Sequence, residues 1–208
     1  MSLEPRANSY SGLPAKTMPL ALRHLPYLKK NVLGTIPLLE YGPNTKMTES
    51  VAICQFLAAK AGPTPLVVEP TEEDYGSFLN WMVHSEATLT FPLTVVLRYT
   101  LQEKGVADAA ALGYAKWYVA RLRMLNAALE DGREYLCADR FTLADVCVTY
   151  ALWFATTLKM GGEPISARFK PQTAAYLERM TARPGWAAAR RAEDLSAAEF
   201  PGRSASSL

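Results

Sequence analysis

The stretch from Gly34 to Ile53, GTIPLLEYGPNTKMTESVAI, contains two residue pairs that could bind a small charged ligand. The first pair, Ile36-Pro37, places a proline at the head of a strand-like run, where a cis bond would turn the backbone groups of Ile36 outward. Those groups could then pair with an extended peptide, as an added strand would. The alternative is a trans proline that protects an edge strand from aggregation.

The second pair, Glu49 and Ser50, stands where a helix is predicted to begin. A helix N-terminus has amides without intrahelical acceptors and a partial positive charge, so it suits a carboxylate. The Ser50 hydroxyl adds a donor and the Glu49 carboxylate can hold an ammonium group. Together they suit an amino-acid head group. The alternative is an ordinary helix cap, in which Thr48 or Ser50 satisfies the amides and Glu49 complements the helix dipole.

The elements that must position these pairs follow from the apolar pattern. Residues 35–40 and 44–48 are predicted to be strands joined by a turn, and residues 49–61 are predicted to be a helix that ends at a Gly-Pro pair. The proline-rich residues 62–71 indicate an ordered linker. We place the domain boundary there, which gives a first domain of residues 1–65 and a second of residues 66–208.

Only helices are predicted after the linker. A helix-start pattern at Thr71 opens a long helix that Pro92 should kink or split. Its apolar or small residues repeat at helical spacing at Phe78, Trp81, Met82, Ser85 and Leu89. A second helix is predicted over residues 109–130. The residues expected to favour one side of it are Leu112, Ala115, Val119, Leu122, Met124 and Leu129.

The segment FTLAD, residues 141–145, predicts the start of a third helix. Thr142 suits the N-cap and Asp145 the third helical position of a capping box. The following run is almost wholly apolar, so this helix should be the buried centre of its domain. A last helix is predicted over roughly residues 172–181.

Composition limits the classes of function. The chain has 208 residues, half of them hydrophobic, and a net charge of +2, so we expect one large or two small domains and no nucleic-acid partner. No apolar run reaches the roughly 18 residues of a membrane span, so we expect no membrane partner. Neither the three cysteines, Cys54, Cys137 and Cys147, nor the two histidines fit a zinc pattern, and we expect no metal site but free buried thiols in a cytoplasmic protein.

The order and spacing of these motifs resemble those of the cytosolic glutathione S-transferases, in particular bacterial members. G-x-I-P-x-L followed by T-E-S-x-A-I is similar to the glutathione-binding half of that family. EYLCADRFTLADVCV is similar to the segment around the capping box of its second domain, and Arg183-Pro184 fits as well. The resemblance covers roughly residues 34–190.

This resemblance implies an α/β N-terminal thioredoxin-like domain followed by an all-α helical bundle domain, usually in a homodimer. Ile36, next to a cis Pro37, would bond the cysteinyl part of glutathione through its backbone. Glu49 and Ser50 would bind the γ-glutamyl end. Glutathione is thus implied as a co-substrate.

The resemblance also implies a catalytic hydroxyl in the segment EPRANSYSG. Ser9 matches the serine of some bacterial members, and Tyr10 and Ser11 are adjacent alternatives. A hydroxyl that donates a hydrogen bond to the glutathione thiolate stabilises the charged form and lowers the thiol pKa from its usual value of about 8.5. No cysteine lies in this segment, which argues against the cysteine-type members.

The implied activity is conjugation of reduced glutathione to a small hydrophobic electrophile, for detoxification. Glutathione-dependent isomerisation, dehalogenation or peroxide reduction remains an alternative, as does a binding protein with little turnover. The helical domain should wall the second pocket, with Arg98 and Tyr99 as its polar candidates and His84 as a satisfied surface or interface residue. Only 33 residues precede Gly34, fewer than a complete thioredoxin-like start needs. Either the domain is a shortened form of that fold or, as we favour, the sequence omits residues of the protein between positions 3 and 33.

Overall fold

A computed structural model describes residues 25–199 of the chain. Its contacts divide the chain into two units, residues 1–53 and 54–208. The described part of the first unit holds helix α1 (Leu25–Leu28), strands β1 (Leu39–Tyr41) and β2 (Thr45–Met47), and the start of helix α2 (Ser50–Ala61).

Strands β1 and β2 form an antiparallel hairpin. Leu39 is opposite Met47 and Tyr41 is opposite Thr45, and an exposed ion pair of 3.0 Å joins Lys46 to Glu40 between them. The hairpin confirms two strands around the predicted turn, but β1 begins at Leu39 instead of residue 35. A proline two residues earlier has no amide to donate to a ladder, so regular pairing starts only after it.

The second unit is helical, with short hairpin and 3-10 segments between its helices. In chain order it contains α3 (Tyr75–His84), a π-helical segment (Ser85–Thr90), α4 (Phe91–Leu97), a second π-helical segment (Arg98–Gln102), α5 (Asp108–Ala128), a 3-10 turn (Leu129–Asp131), α6 (Leu143–Thr157), β3 (Lys159–Met160), β4 (Glu163–Pro164), a 3-10 turn (Ile165–Arg168), α7 (Pro171–Thr181) and α8 (Pro184–Glu199). The fold is therefore helix-rich with a small sheet in the first unit.

The long helix after the linker is interrupted as Pro92 predicted. Its five predicted inward positions are all buried, but the helix begins at Tyr75 and widens into the π segment just before α4. Pro92 then lies in the first turn of α4, where its missing amide breaks no helical bond. The Thr90 hydroxyl donates to the Ser85 carbonyl over 2.8 Å, which satisfies that carbonyl within the widened turn.

Helix α5 presents a different face from the one expected. Leu112 and Met124 are 43% and 39% exposed, so their assignment to the inward side was wrong. Ala115, Leu122 and Leu129 are buried as expected. The buried face also includes Ala111, Tyr118, Leu125 and Asn126. Because apolar residues occur on several sides of this helix, their spacing is compatible with more than one buried face, and the buried face of the structure is the one that contains Tyr118 and Asn126.

Helix α6 is the buried centre of the second unit, as predicted. It contacts α3, the first π segment and α7. Thr142 and Asp145 form the predicted capping box. The fully buried Asp145 carboxylate accepts hydrogen bonds from the amides of Thr142 (2.9 Å) and Leu136 (3.0 Å) and from the Tyr176 hydroxyl (2.8 Å). Burial raises the pKa of Asp145, and these donors act in the opposite direction.

The proline-rich linker is held by the helical unit. The Arg140 guanidinium donates to the carbonyls of Pro65 and Val67, each over 3.0 Å, and forms a bidentate pair with the Glu72 carboxylate at 2.7 and 2.8 Å. The Leu143 amide donates to the Leu66 carbonyl over 2.8 Å. The linker is thus ordered, as predicted, while the domain boundary near residue 66 stays a prediction.

The chain ends its described part in two helices. Helix α7 confirms the predicted last helix, and α8 was not predicted. Trp186 on α8 packs edge-on against Trp153 with ring centroids 5.7 Å apart, and Arg190 lies over the same ring. Over residues 25–199, none of the helices is both long and apolar enough to span a membrane.

Candidate functional site

The hairpin brings the two predicted binding pairs to one end of the first unit. Leu39 and Met47 form the last cross-strand pair at the open end of the hairpin. The chain enters this end from Ile36-Pro37 and leaves it toward Glu49-Ser50. The two predicted pairs, which are separated by the hairpin in the sequence, therefore lie at the same end of the sheet. We call these four residues the hairpin-end site.

The backbone before Ile36 is fixed by two side chains of the preceding turn. The Thr35 carbonyl accepts hydrogen bonds from the Tyr27 hydroxyl (2.8 Å) and the Asn31 side-chain amide (2.7 Å). The Asn31 side-chain oxygen accepts from the Leu33 amide over 3.0 Å, and Asn31 is buried. This rigid turn presents Ile36, which is 80% exposed.

The Ile36-Pro37 peptide bond is cis, as the resemblance implied. Sequence reasoning missed the two residues that support it, Tyr27 and Asn31. An Asn three residues before Gly34, which has a positive φ of 64°, is a recognisable side-chain turn signal and could have indicated Asn31. No comparable local pattern marks Tyr27, since its hydroxyl bonds a carbonyl eight residues away.

The start of helix α2 has the geometry expected of an anion-binding end. The Ile53 amide donates to the Glu49 carbonyl over 2.9 Å, which is the first bond of the helix. The amides of residues 50–52 consequently have no acceptor four residues earlier within the helix. The Glu49 and Ser50 side chains are exposed. A carboxylate would meet amides and a hydroxyl here, and an ammonium group would meet a carboxylate.

The predicted catalytic hydroxyls fall elsewhere in the chain. Ser9, Tyr10 and Ser11 lie outside the described residues. Their role in catalysis therefore stays a prediction.

The polar candidates of the helical unit are engaged with their neighbours. The Arg98 guanidinium forms a 2.7 Å ion pair with Glu103 and lies 5.7 Å from the centroid of the Tyr99 ring. A guanidinium committed to these two contacts is a poor candidate for binding a substrate anion without rearrangement.

His84 differs from the satisfied surface or interface residue that was expected. Its Nε2 atom is buried and has no hydrogen-bond partner among the described residues, and its ring packs edge-on against Trp81 at 5.4 Å. Burial, with a smaller contribution from the charge of Arg121, lowers the pKa of His84. The ring is half-buried in the helical unit, and these surroundings favour its neutral form.

The acidic, histidine and cysteine side chains are dispersed over the part of the chain that the structure describes. No cluster of three or more of them there could hold a metal ion. The three cysteines are free thiols, with Cys137 buried and Cys54 and Cys147 half-buried. Nothing in this part of the chain adds a metal centre to the hairpin-end site.

Comparison with known proteins assigns both units to one family. Residues 6–65 match the glutathione S-transferase N-terminal domain, and residues 118–179 match the glutathione S-transferase C-terminal domain. The hairpin-end site lies wholly within the first match. These two matches, which together span more than half of the chain, show that the chain belongs to the glutathione S-transferase family.

Individual relatives agree with this assignment. The chain is 28% identical over 158 residues to glutathione S-transferase GstA of Escherichia coli, which covers 76% of this chain and 73% of the relative. A glutathione transferase structure from Methylococcus capsulatus superposes with a TM-score of 0.68 at 25% identity, covering 81% of this chain and 78% of the other.

A third comparison supports the fold alone. A sphingomonad glutathione S-transferase, solved in complex with glutathione, superposes with a TM-score of 0.68 at 21% identity and covers 81% of this chain and 79% of its own. The expected fold class, a thioredoxin-like domain followed by a helical domain, is thereby confirmed.

Proposed function

We propose that this protein is a glutathione transferase that conjugates reduced glutathione to a small hydrophobic electrophile. The observation that carries the proposal is the hairpin-end site. The exposed Ile36 with its cis bond to Pro37, and the exposed start of α2, flank the open end of the hairpin, within the residues that match the N-terminal domain of the family.

In this proposal glutathione binds at the hairpin-end site by its two recognisable parts. The backbone of Ile36 pairs with the cysteinyl unit as an added strand does. At the other part of the site, the α2 amides and the Ser50 hydroxyl take the γ-glutamyl carboxylate, and the Glu49 carboxylate takes the ammonium group. The helix dipole and the two charges then orient glutathione with its thiol away from α2.

The chemistry proposed for the bound thiol is nucleophilic attack on an electrophilic carbon. A hydroxyl of Ser9, Tyr10 or Ser11 would donate to the thiolate, which raises the thiolate fraction at neutral pH. Holding both reactants together supplies the rest of the acceleration through proximity. We further propose that the protein acts in detoxification, as a reaction on apolar electrophiles suggests, and that it is a cytoplasmic homodimer, as the resemblance to the cytosolic members of the family implies.

The first test is calorimetric titration with reduced glutathione of the wild-type protein, Ser50→Ala and Ser77→Ala. Removing a donor to a carboxylate should cost about 1.5–3 kcal/mol, which corresponds to roughly ten- to hundredfold weaker binding in Ser50→Ala. Ser77 is exposed on α3, so its variant is a matched control with unchanged affinity. Absence of binding to the wild type at millimolar glutathione would reject the proposal, and circular dichroism would exclude loss of α2 as the cause of weakening.

The second test separates an enzyme from a binding protein. Alanine is placed at Ser9, Tyr10 and Ser11 one at a time, and conjugation of an aromatic halide is measured together with glutathione affinity. One variant should lose turnover while it still binds glutathione, because the hydroxyl acts on the thiolate and not on the head group. Three variants with wild-type turnover would contradict the assignment of the hydroxyl to this segment.

A further inference from the structure

An open cleft in the second unit lies between the C-terminal half of α2, the proline-rich linker and the start of α3. Its volume is about 530 Å³, and small-molecule sites in proteins occupy roughly 300–1,000 Å³. Its lining comes from one face of α2 between Gln55 and Gly62, from the linker as far as Pro70, and from the first turns of α3. None of the lining residues belongs to the hairpin-end site, so the cleft is a separate candidate site.

The space exists because α2 presents small residues to it. Ala59 and Gly62 lie on the lining face, and no atom lies within 4 Å of a Cβ added at Gly62. The buried part of the lining is apolar, since Val68 and Phe78 are 0% and 2% exposed. Leu79 also lines the cleft and is 39% exposed. A ligand with an apolar body would therefore remove apolar surface from water here.

The linker wall of the cleft is held in place without a ligand. Besides the contacts with the helical unit described above, the Thr64 hydroxyl accepts from the Leu66 amide and the Thr64 carbonyl accepts from the Val67 amide, each over 3.3 Å. The Glu69 amide donates to the Glu72 carboxylate over 2.7 Å. Because these bonds already order the wall, a ligand would lose little binding free energy to ordering the protein.

Three polar side chains of the lining are available to a ligand. The Gln55 amide, the Tyr75 hydroxyl and the Glu69 carboxylate have no hydrogen-bond or ion-pair partner among the described residues. The neighbouring carboxylate of Glu72 is, by contrast, paired with Arg140 at 2.7 Å. Glu69 therefore leaves a negative charge at the cleft that no described cation compensates.

The electrostatics of the cleft favour a cation. None of the described lining residues is a lysine, an arginine or a histidine. Lys60, the basic residue in the last turn of α2, lies over the Phe56 ring, 5.5 Å from its centroid. The end of α2 also carries the partial negative charge of a helix C-terminus. An anion would meet the Glu69 carboxylate without a compensating cation, so the cleft disfavours anions.

We propose that this cleft is a binding site for a small organic cation with an apolar, aromatic body. The body packs against Val68, Phe78 and Leu79, and the charged group meets the Glu69 carboxylate. The binding needs no glutathione. Glutathione itself has two carboxylates and one ammonium group, so its net negative charge makes it a poor ligand for this cleft.

The test uses thioflavin T, a flat aromatic cation, and its uncharged analogue, which lacks the methyl group on the ring nitrogen. Fluorescence titration of the full-length protein gives the affinity, and equilibrium dialysis gives the number of dye molecules bound per chain. The wild type should bind one thioflavin T per chain in the absence of glutathione. Added salt should weaken this binding, because a partly exposed charge pair contributes to it.

Two substitutions locate the dye and identify its charge partner. Ala59→Trp places a ring in the cleft and should weaken the binding of both dyes about tenfold or more, because the dye and the ring cannot share the space. Ala174→Trp, at an exposed alanine of α7, is its matched control. Glu69→Gln should weaken the binding of thioflavin T about fivefold, the upper end for an exposed charge pair, and should leave the uncharged analogue unaffected. Glu178→Gln, at an exposed carboxylate of α7, is the control for charge.

Absence of saturable thioflavin T binding to the wild type at millimolar dye would overturn the inference. So would wild-type affinity in Ala59→Trp, since the dye would then occupy another surface. Equal weakening of the two dyes in Glu69→Gln would overturn the choice of a cation. Circular dichroism of Ala59→Trp separates a blocked cleft from a lost fold, and Glu69→Gln tests the inference even if Ala59→Trp does not fold. Glutathione affinity should be unchanged in both variants, so the cleft and the proposed glutathione site can fail independently.

Discussion

Replacement of Asp145 by alanine should be the most destabilising of the polar substitutions that the helical unit offers. Four donors would lose their acceptor inside the protein: the amides of Thr142 and Leu136 and the hydroxyls of Tyr176 and Thr142. Each buried donor left without a partner costs about 1–3 kcal/mol. Desolvation of the buried carboxylate destabilises the wild type and raises the pKa of Asp145, and this unfavourable free energy is absent in the variant. We therefore expect a net loss of about 4 kcal/mol, within the range of roughly 3–5 kcal/mol typical of breaking a buried charged network.

The assay is urea unfolding followed by circular dichroism. With a slope of about 2 kcal/mol per molar urea, the midpoint of Asp145→Ala should fall by about 2 M. Tyr176→Phe removes a single donor without burying an unpaired group and should cost only about 1.5 kcal/mol. Glu134→Ala changes an exposed carboxylate and should be neutral. A loss below about 1 kcal/mol in Asp145→Ala would refute the reasoning, because the four donors would then have found other partners at little cost.

Other predictions concern backbone strain, the linker and the thiol of Cys54. Gly132 ends the helical stretch at a φ of 82° with no atoms within 4 Å of an added Cβ. Gly132→Ala should therefore lower the free energy of unfolding by about 1–2 kcal/mol from backbone strain alone. Gly113→Ala inside α5 should instead raise it by up to about 1 kcal/mol, and thermal unfolding measures both changes. Arg140→Met should destabilise by about 2 kcal/mol through its lost carbonyl bonds and its pair with Glu72, and Arg140→Lys should recover little of this, since an ammonium cannot fork. Thiolate absorbance in the ultraviolet should show a group that titrates near pH 7, and this titration should be absent in Cys54→Ser.

The sequence was most informative where a signal is local. The capping box at Thr142 and Asp145 needs only residues within one turn, and the structure has it as predicted. Pro92 is likewise a local signal, because a proline limits where a helix can continue without interruption. The face of α5 could not be predicted equally well, because Leu112 and Met124 are as apolar as the residues that are buried in their place. Which apolar side turns inward depends on the helices opposite, and no local pattern contains that information.

Helix α8 shows a different kind of failure. Arg183-Pro184-Gly185 resembles the end of a helix, yet a proline is tolerated in the first turn, and Pro184 is the first residue of α8. Pro184 and Gly185 therefore indicated a helix boundary at the right place, but they did not indicate that a helix begins there as well as ends there. The contact of Trp186 with Trp153 is long-range and could not be inferred from the local sequence.

The candidate site divides in the same way. The pairs at Ile36-Pro37 and Glu49-Ser50 could be identified from residue types and spacing, and the hairpin register explains why they lie at one end of the sheet. The support of that site by Tyr27 could not be, because a hydroxyl that bonds a distant carbonyl leaves no periodic trace. The buried Nε2 of His84, which has no partner in the described part of the chain, was also missed, since burial of one ring nitrogen depends on the surrounding helices.

The clamp that Arg140 places on the linker has a consequence for how this protein can be cut. Residues 62–71 have the proline-rich composition of a segment that proteases and expression design often choose as a boundary. Yet the carbonyls of Pro65, Leu66 and Val67 accept hydrogen bonds from the helical unit, and a protease must first release them to bind the chain as an extended strand. Limited digestion should spare this segment in the native protein. A helical half expressed from residue 66 would lose the Pro65 carbonyl that Arg140 binds, so a start before Pro63 should give the more stable fragment.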